Sequence, residues 1–364
     1  MNKLNLGVIF GGKSAEHEIS LISAKNIIDA ANKDKYNIYP IGINKRGEFW
    51  AYSEDNYILN FEDVKKISLN NNGIPVTFSF GENKELIGIL DKNIKITLDV
   101  IFPVLHGTYG EDGTIQGLFE MANIPYVGAG VTGSAIGMDK DIAKTILEKS
   151  GVNIAKFICF NIDELEKISF HQLVKKLGLP FFLKPAKAGS SVGIYKIKDE
   201  NDFIEKIKDA FRFSNKILFE EAIVGREIEC SLLGNENPKA SLPGEVIPND
   251  VFYSYDAKYV NENGATFKIP VKLSDKLIET IQKDSIRIYK LLNCEGMARV
   301  DGFITKNEQY VFNEINTIPG FTSISMYPKL WNVSGIPTDD LIDRLIQYAI
   351  EKYNRNKNIK TSIR

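Results

Sequence analysis

The sequence predicts an α/β protein in which a parallel-sheet unit precedes two α+β units built on antiparallel sheet. Three observations predict it. Over the first 128 residues, compact apolar runs alternate with segments of helical periodicity, the pattern of β–α–β units. From residue 155, strand-like runs crowd together around one helix. Beyond a polar, tyrosine-rich stretch come a long helix, two strands and a terminal helix. At about 100–200 residues per domain, a chain of 364 residues suits two or three domains with a cleft between them.

KLNLGVIF is a continuous apolar run and reads as a buried strand, with GGKSAEHE as the loop that leaves it. ISLISAKNIIDAANK follows with apolar residues at helical spacing. YNIYPIGI and DVIFPVLHG are further buried strands, and TIQGLFEMAN is a helix. This alternation implies a parallel sheet with ligands at the carboxyl ends of its strands. Residues 50–98 interrupt it; rich in Asn and Gly turns, they read as a strand-poor insertion of short hairpins. MDKDIAKTILEKSG is a helix that ends at Gly151. KFICF, PFFLKPA, VGIYKI, KILFEEAI and EIECSLLG are strands, with the helix DFIEKIKDAFRF among them. SDKLIETIQKDSIRIYKLL is the long helix, GMARVDGFI and QYVFNEI the two strands, and TDDLIDRLIQYAIEKY the last helix. The basic end, KYNRNKNIKTSIR, reads as that helix fraying into a solvated tail.

A net charge of −2 offers no field for nucleic acid or an acidic membrane. Cys159, Cys230 and Cys294 are widely spaced and odd in number, which suggests neither disulfides nor a zinc site and fits a reducing cytoplasm. LNLGVIF is too short and lacks the basic leader of a secretory signal; no apolar run is long enough to span a membrane.

Residues 7–14, GVIFGGKS, match the phosphate-loop pattern G-x-x-x-x-G-K-[ST]. Val8, Ile9 and Phe10 belong inside a strand, however, so the loop starts at Gly11, too late to wrap a triphosphate. The better nucleotide candidate is PFFLKPAKAGSSVGIYKI: strand, small-residue loop, strand. Its glycines and Ser190 and Ser191 bring backbone N–H groups near phosphate oxygens, and Lys184 sits in an apolar run where it needs an anionic partner. Lys140 in GMDKDIAK joins it as a second cation; Glu220 to Ile223 suit a linker beside adenine, and Glu227 suits ribose hydroxyls. Taken singly, each also fits an exposed helix or strand position.

ARVDGFI and FNEIN carry the most specific pattern. Arg299 and Asp301 are two apart, as are Glu314 and Asn316, and residues i and i+2 of a strand share a face. Adjacent strands would aim Asp301, Glu314 and Asn316 at one point. All-oxygen donors suit Mg²⁺ on phosphates rather than zinc, with Arg299 beside them for developing negative charge. In NTIPGFTSISMYP, Pro319 and Gly320 fix a turn that offers a backbone N–H, and Ser325 can receive a carboxylate.

Together GGKSAEHEISL, HGTYGEDGTIQG, GMDK, KPAKAGSSVG, FYSYDAKY, ARVDGF and NEINTIPGFTSISMYP resemble the ATP-grasp ligases, and within them the D-alanine–D-alanine ligase family, over nearly the whole chain outside 50–98. The resemblance implies an ATP-grasp fold: a Rossmann-like domain over 1–128, a central subdomain over 129–221, and a C-terminal subdomain over 222–364 with a lid loop at 249–265. It implies that ATP phosphorylates one D-alanine and that the amine of a second attacks the acylphosphate. By position, Glu16 would hold the first ammonium and His106 would lie near its carboxylate. Lys140, Lys184, Ser191 and Lys258 would meet phosphates; Glu220, Ile223, Glu227 and Phe252 would surround adenine and ribose. Asp301, Glu314 and Asn316 would ligate two Mg²⁺ ions, for which Mn²⁺ substitutes. Arg299 and the Gly320 amide would form an oxyanion hole, Ser325 and Met326 would meet the second D-alanine, and a Glu16–Ser190–Tyr259 network would tie down the lid. No residue presents itself as the base. Relatives that use D-lactate carry phenylalanine at the Tyr259 position or lack the lid pattern, and resistance enzymes tend to carry arginine at the Met326 position, so D-alanine is expected at both sites. A homodimer in the cytoplasm, working in peptidoglycan synthesis, is the implied setting. A D-lactate or D-serine ligase, or a non-catalytic nucleotide-binding module, are the alternatives.

Overall fold

The structure is a computed structural model that describes residues 3–248 and 265–360. The first sheet is built around β1 (Leu4–Gly11), β2 (Tyr36–Ile43) and β9 (Val100–Val104), which run parallel with β1 in the centre. Leu6, Val8, Ile9 and Phe10 are all inaccessible to solvent, because side chains on both faces of β1 are covered. On one face lies α1 (His17–Ala30), whose Leu21, Ala24, Ile27 and Ile28 pack with Leu6, Val8 and Phe10. On the other lies α2 (Thr114–Met121), whose Ile115 and Phe119 pack with Ile9, Ile41 and Ile101. Gly7 pairs with Tyr39 and Ile101 in mid-strand, so the phosphate-loop pattern at residues 7–14 spans a strand.

The insertion differs from the strand-poor expectation. β3 (Phe49–Ala51), β6 (Ile74–Phe78), β7 (Glu85–Gly88) and β8 (Lys95–Thr97) add antiparallel strands beyond β2, giving the order β8-β7-β6-β3-β2-β1-β9. β4 (Ile58–Leu59) and β5 (Ser68–Leu69) form a separate small hairpin. The sheet is therefore mixed, and its parallel part is the β2-β1-β9 core. Val76 and Phe78 are buried while Thr77 between them is exposed, the alternation of a strand with one face covered. These runs are so short that the surrounding turn residues conceal the period.

Two helices follow, α3 (Val131–Met138) and α4 (Lys140–Lys149). The glycines that make VTGSAIGM look broken let α3 pack closely: a Cβ at Gly133 would lie 2.2 Å from the Asn293 carbonyl oxygen. The second sheet has the order β10-β13-β11-β12, comprising β10 (Phe157–Asn161), β11 (Phe181–Pro185), β12 (Tyr195–Ile197) and β13 (Lys216–Glu221). Helices α5 (Phe170–Leu177) and α6 (Glu200–Ala210) cover it through Leu173, Phe203 and Ile207. Helix α5 is short and buries only Leu173 and Leu177, too little periodicity to be read from sequence.

The third sheet orders as β17-β16-β14-β18-β19, with β15 (Lys239–Ala240) on β14. Its strands are β14 (Gly225–Leu233), β16 (Gly244–Pro248), β17 (Ala265–Lys268), β18 (Met297–Thr305) and β19 (Tyr310–Asn316). Helix α7 (Asp275–Leu291) packs on one face through Ile281, Ile288 and Tyr289. Helices α8 (Met326–Val333) and α9 (Thr338–Lys357) return to the first sheet. Trp331, Leu341, Leu345 and Ile346 share one core cluster with Leu6, Val8 and Phe10. Asp343 accepts from Lys35 and from the Tyr36 hydroxyl, and the buried Lys352 ammonium donates to the Gly128 carbonyl at 2.7 Å over the Tyr126 ring. No helix among the described residues is long and apolar enough to cross a membrane.

Candidate active site

The first wall of the central cavity comes from the exits of β1 and β9. Gly11 and Gly12 leave β1 with φ of 92° and 95°; a Cβ at Gly11 would lie 2.3 Å from the Ile43 carbonyl oxygen, so only glycine fits. This tight exit places Glu16 at the N-cap of α1, where its buried carboxylate accepts a hydrogen bond from the Ser190 hydroxyl. His17 turns away and bonds the Gly12 carbonyl at 2.8 Å. Beyond β9, His106 Nδ1 donates to the Ile318 carbonyl at 3.0 Å. Burial holds the imidazole pKa below its ordinary value, with Glu16 pulling the other way.

Glu111, in HGTYGEDG, carries no signal in the sequence pattern, yet it accepts from the Gly107 N–H and the Ile318 N–H at 2.9 Å each. The Ile318 peptide is thus held at both ends from the first unit, by Glu111 at its N–H and His106 at its carbonyl. Burial, reinforced by the Glu16 carboxylate, pushes the Glu111 carboxyl up to about 7.

The second wall is cationic. Lys184 on β11 lies 3.0 Å from a Glu220 oxygen, and Lys144 on α4 lies 3.0 Å from the other. Burial opposes the Glu220 charge, but the two ammoniums outweigh it and hold its carboxyl below the ordinary range. Lys144 was missed in sequence, although it stands four residues after Lys140 on the same helix face. Lys140 donates to the Ala188 carbonyl at 2.7 Å and lies 3.5 Å from Glu314. Ser190 and Ser191, in the β11–β12 loop, have φ of 50° and 60°, uncommon for residues with side chains.

The third wall is the β14-β18-β19 face. Arg299 pairs with Asn316 and Asp301 with Glu314, as the two-residue spacing predicts. Between Asp301 and Gly302 the register shifts, leaving Asn313 as the extra residue of a bulge. Its side chain accepts from Lys184 at 3.2 Å and so links the strand pair to the cationic wall. Arg299 holds Asp301 with two hydrogen bonds of 2.7 and 2.8 Å, and the Asn316 amide donates to Asp301 at 2.8 Å. Glu229, the register partner of Asp301 on β14, lies 2.8 Å from Arg299 Nε. Glu229 was also missed, although it shares a face with Glu227 two residues before it. Among the described residues no trio of His, Cys, Asp or Glu converges on a metal position. The oxygen set here is two carboxylates completed by the Asn316 amide.

Pro319, Gly320, Ser325 and Met326 close the cavity, and the Ser325 hydroxyl bonds the Thr322 N–H at 2.9 Å. The cavity therefore joins Glu16, His106, Ser190, Arg299, Glu314, Asn316, Gly320, Ser325 and Met326. Asp301 and Lys140 connect to it through Arg299 and Glu314, whereas the Lys184 partners Glu220 and Asn313 are not in its lining. Ile223, after β13, and Glu227, on β14, are half-buried and are not part of that wall. Phe252, Lys258 and Tyr259 lie outside the described residues. Cys159, Cys230 and Cys294 are free thiols away from the cavity, and burial pushes Cys230 up to about 12.

Comparison with known proteins gives a consistent result. Residues 5–129 match the family model for the D-ala D-ala ligase N-terminus, and residues 146–347 match that for the D-ala D-ala ligase C-terminus. The D-alanine–D-alanine ligase of Oceanobacillus iheyensis is 52% identical over 362 residues, spanning 99% of each chain. The structure of the D-alanine–D-alanine ligase from Coxiella burnetii is similar at a TM-score of 0.83 and 37% identity, covering 98% of this chain and 97% of that one. The VanG D-Ala:D-Ser ligase from Enterococcus faecalis is similar at a TM-score of 0.83 and 35% identity, covering 96% of this chain and 100% of that one.

Proposed function

This chain belongs to the D-alanine–D-alanine ligase family, and from that premise we propose how its residues divide the ATP-dependent joining of two D-alanines. The reaction has two steps. The γ-phosphoryl group of ATP passes to a carboxylate oxygen of the first D-alanine, releasing ADP. The amine of the second D-alanine then attacks the acyl carbon, loses a proton, and phosphate leaves.

Glu16 holds the ammonium of the first D-alanine, and His106 stands by its carboxylate. Lys140, Lys184, Lys258 and Ser191 bind phosphates, while Glu220, Ile223, Glu227 and Phe252 surround adenine and ribose. Arg299 and the Gly320 N–H stabilise the oxyanion as the acyl carbon becomes tetrahedral. Ser325 and Met326 receive the second D-alanine. Ser190 and Tyr259, with Glu16, tie the lid over an acylphosphate that water would otherwise hydrolyse.

Asp301, Glu314 and Asn316 fit two Mg²⁺ ions, or Mn²⁺, because their donors are hard oxygens gathered at neighbouring register positions. Bound there, the ions neutralise charge on the phosphates. The observation that carries the whole reading is the single cavity that brings Glu16 and Ser190 from separate units to Arg299, Glu314 and Asn316.

The wider setting is proposed on the same footing: a homodimer of three-domain subunits divided near residues 128 and 221, in a reducing cytoplasm that suits free thiols, supplying peptidoglycan precursor. D-serine as second substrate is the alternative, given the likeness to VanG. Against it stands Met326, an apolar residue in the cavity wall where arginine would mark a resistance enzyme. The test is a product assay with ATP, Mg²⁺ and D-alanine. ADP and D-alanyl-D-alanine formed one for one, and no dipeptide from L-alanine, support the reading. ADP formed without dipeptide, with a D-serine product on adding D-serine, supports the alternative.

A further inference from the structure

The Arg299 guanidinium has two carboxylates. Asp301 engages it twice, at 2.7 and 2.8 Å, and Glu229 lies 2.8 Å from the same Nε. All three side chains are largely buried, with 17% of Arg299, 7% of Glu229 and 4% of Asp301 exposed. The two carboxylates are direct register partners on β14 and β18, so the strands set them on one face of the sheet, both against Arg299 Nε. Asp301 has a further role in the reading above, as a ligand to divalent cations. It also accepts from Asn316 at 2.8 Å.

These demands compete. A carboxylate that faces a cation cannot keep both oxygens on a guanidinium, and a largely buried arginine that loses its counterion is strongly destabilised. We propose that Glu229 is a positioning residue: the second anchor of Arg299, which keeps the guanidinium in the cavity when Asp301 turns to a divalent cation. The inference rests on Asp301 as a metal ligand, and it accounts for a buried carboxylate that no step of the ligation uses. Glu229 also lines the cavity, but the role proposed for it uses no contact of its own with ATP, cation or D-alanine. Its effect passes through Arg299, by lowering the free energy needed to free Asp301.

The test is a Mn²⁺ titration followed by electron paramagnetic resonance, with β,γ-methylene ATP present, on wild type, Glu229→Gln, Arg299→Met and the double variant. Glu229→Gln should weaken Mn²⁺ binding about tenfold or more, the usual range for a residue that orients a ligand from behind. In the Arg299→Met background, Glu229→Gln should add little, because no guanidinium then competes for Asp301. Unchanged binding in Glu229→Gln overturns the proposal. So does an equal loss in both backgrounds, which would mean that the Glu229 charge acts on the cation directly. Should Glu229→Gln not fold, the same cycle is read with Glu229→Asp, whose shorter side chain withdraws from Nε. Asp301→Asn separates the two ideas: if it leaves Mn²⁺ binding intact, Asp301 as metal ligand fails, whatever Glu229 does.

Discussion

The Ser190 hydroxyl donates to the Glu16 carboxylate across 174 positions of chain, joining the β11–β12 loop to the N-cap of the first helix. A charge-assisted hydrogen bond thus ties the cavity wall at the exit of β1 to that loop. Ser190→Ala removes the donor and leaves a buried carboxylate with one partner fewer. The turnover number should fall about 10- to 100-fold, through a lid that no longer holds, with smaller change in ATP affinity. Steady-state kinetics on both substrates check this; a normal turnover number contradicts it.

Lys184 and Lys13 separate two readings of where phosphate binds. Lys184 is buried against Glu220 and Asn313, whereas Lys13 is exposed over the Tyr109 ring. Lys184→Ala should weaken ATP binding about 100-fold or more, as loss of a charged contact of about 3 kcal/mol does. Lys13→Ala should leave it unchanged. Calorimetric titration with ATP decides, and the reverse result would restore the phosphate-loop reading of residues 7–14.

Glu111 gives stability a pH dependence. Its carboxyl is raised from 4.5 to about 7 by burial and by Glu16. A carboxyl raised on folding contributes fully below its unfolded value, and that contribution is lost as pH rises through its folded value. Between about pH 4.5 and 7 the wild type should lose on the order of 3 kcal/mol relative to Glu111→Gln, which does not titrate. Urea midpoints of both proteins across that range measure the difference. Parallel curves would show that Glu111 is not the group responsible.

The role proposed for Tyr259 in the choice of second substrate has a direct test. Tyr259→Phe should raise the ratio of D-alanyl-D-lactate to D-alanyl-D-alanine near neutral pH when both acceptors are supplied. Chromatography of the products reads the ratio directly, and an unchanged value sinks the assignment.

Much of this site could be read in advance where the chemistry follows a short spacing. Arg299, Asp301, Glu314 and Asn316 were legible because alternate strand residues share a face, and the β18–β19 register brings those faces together. The Lys184–Asn313 link was not, since it depends on a bulge that turns one residue out of the strand alternation. Glu111 and Glu229 were missed for a related reason. Each owes its importance to a partner far along the chain, Ile318 for one and Arg299 for the other, and periodicity carries no information about such pairs. The mixed first sheet escaped because strands as short as Phe49–Ala51 and Lys95–Thr97 show less than two full periods. Helix α3 escaped because its glycines serve packing against Asn293.

Helix α9 completes the core that β1 begins. Leu341, Leu345 and Ile346 share one cluster with Leu6, Val8 and Phe10, and Lys352 and Asp343 fasten the helix to Gly128, Lys35 and Tyr36. On a ribosome adding roughly 5–20 residues per second, the opening strands emerge on the order of tens of seconds before the segment that seals their flank. The first unit must pass that interval with part of its apolar surface open to water or to a chaperone. Loss of α9 would therefore be felt first at the other end of the chain, in the solubility of the newborn N-terminal sheet.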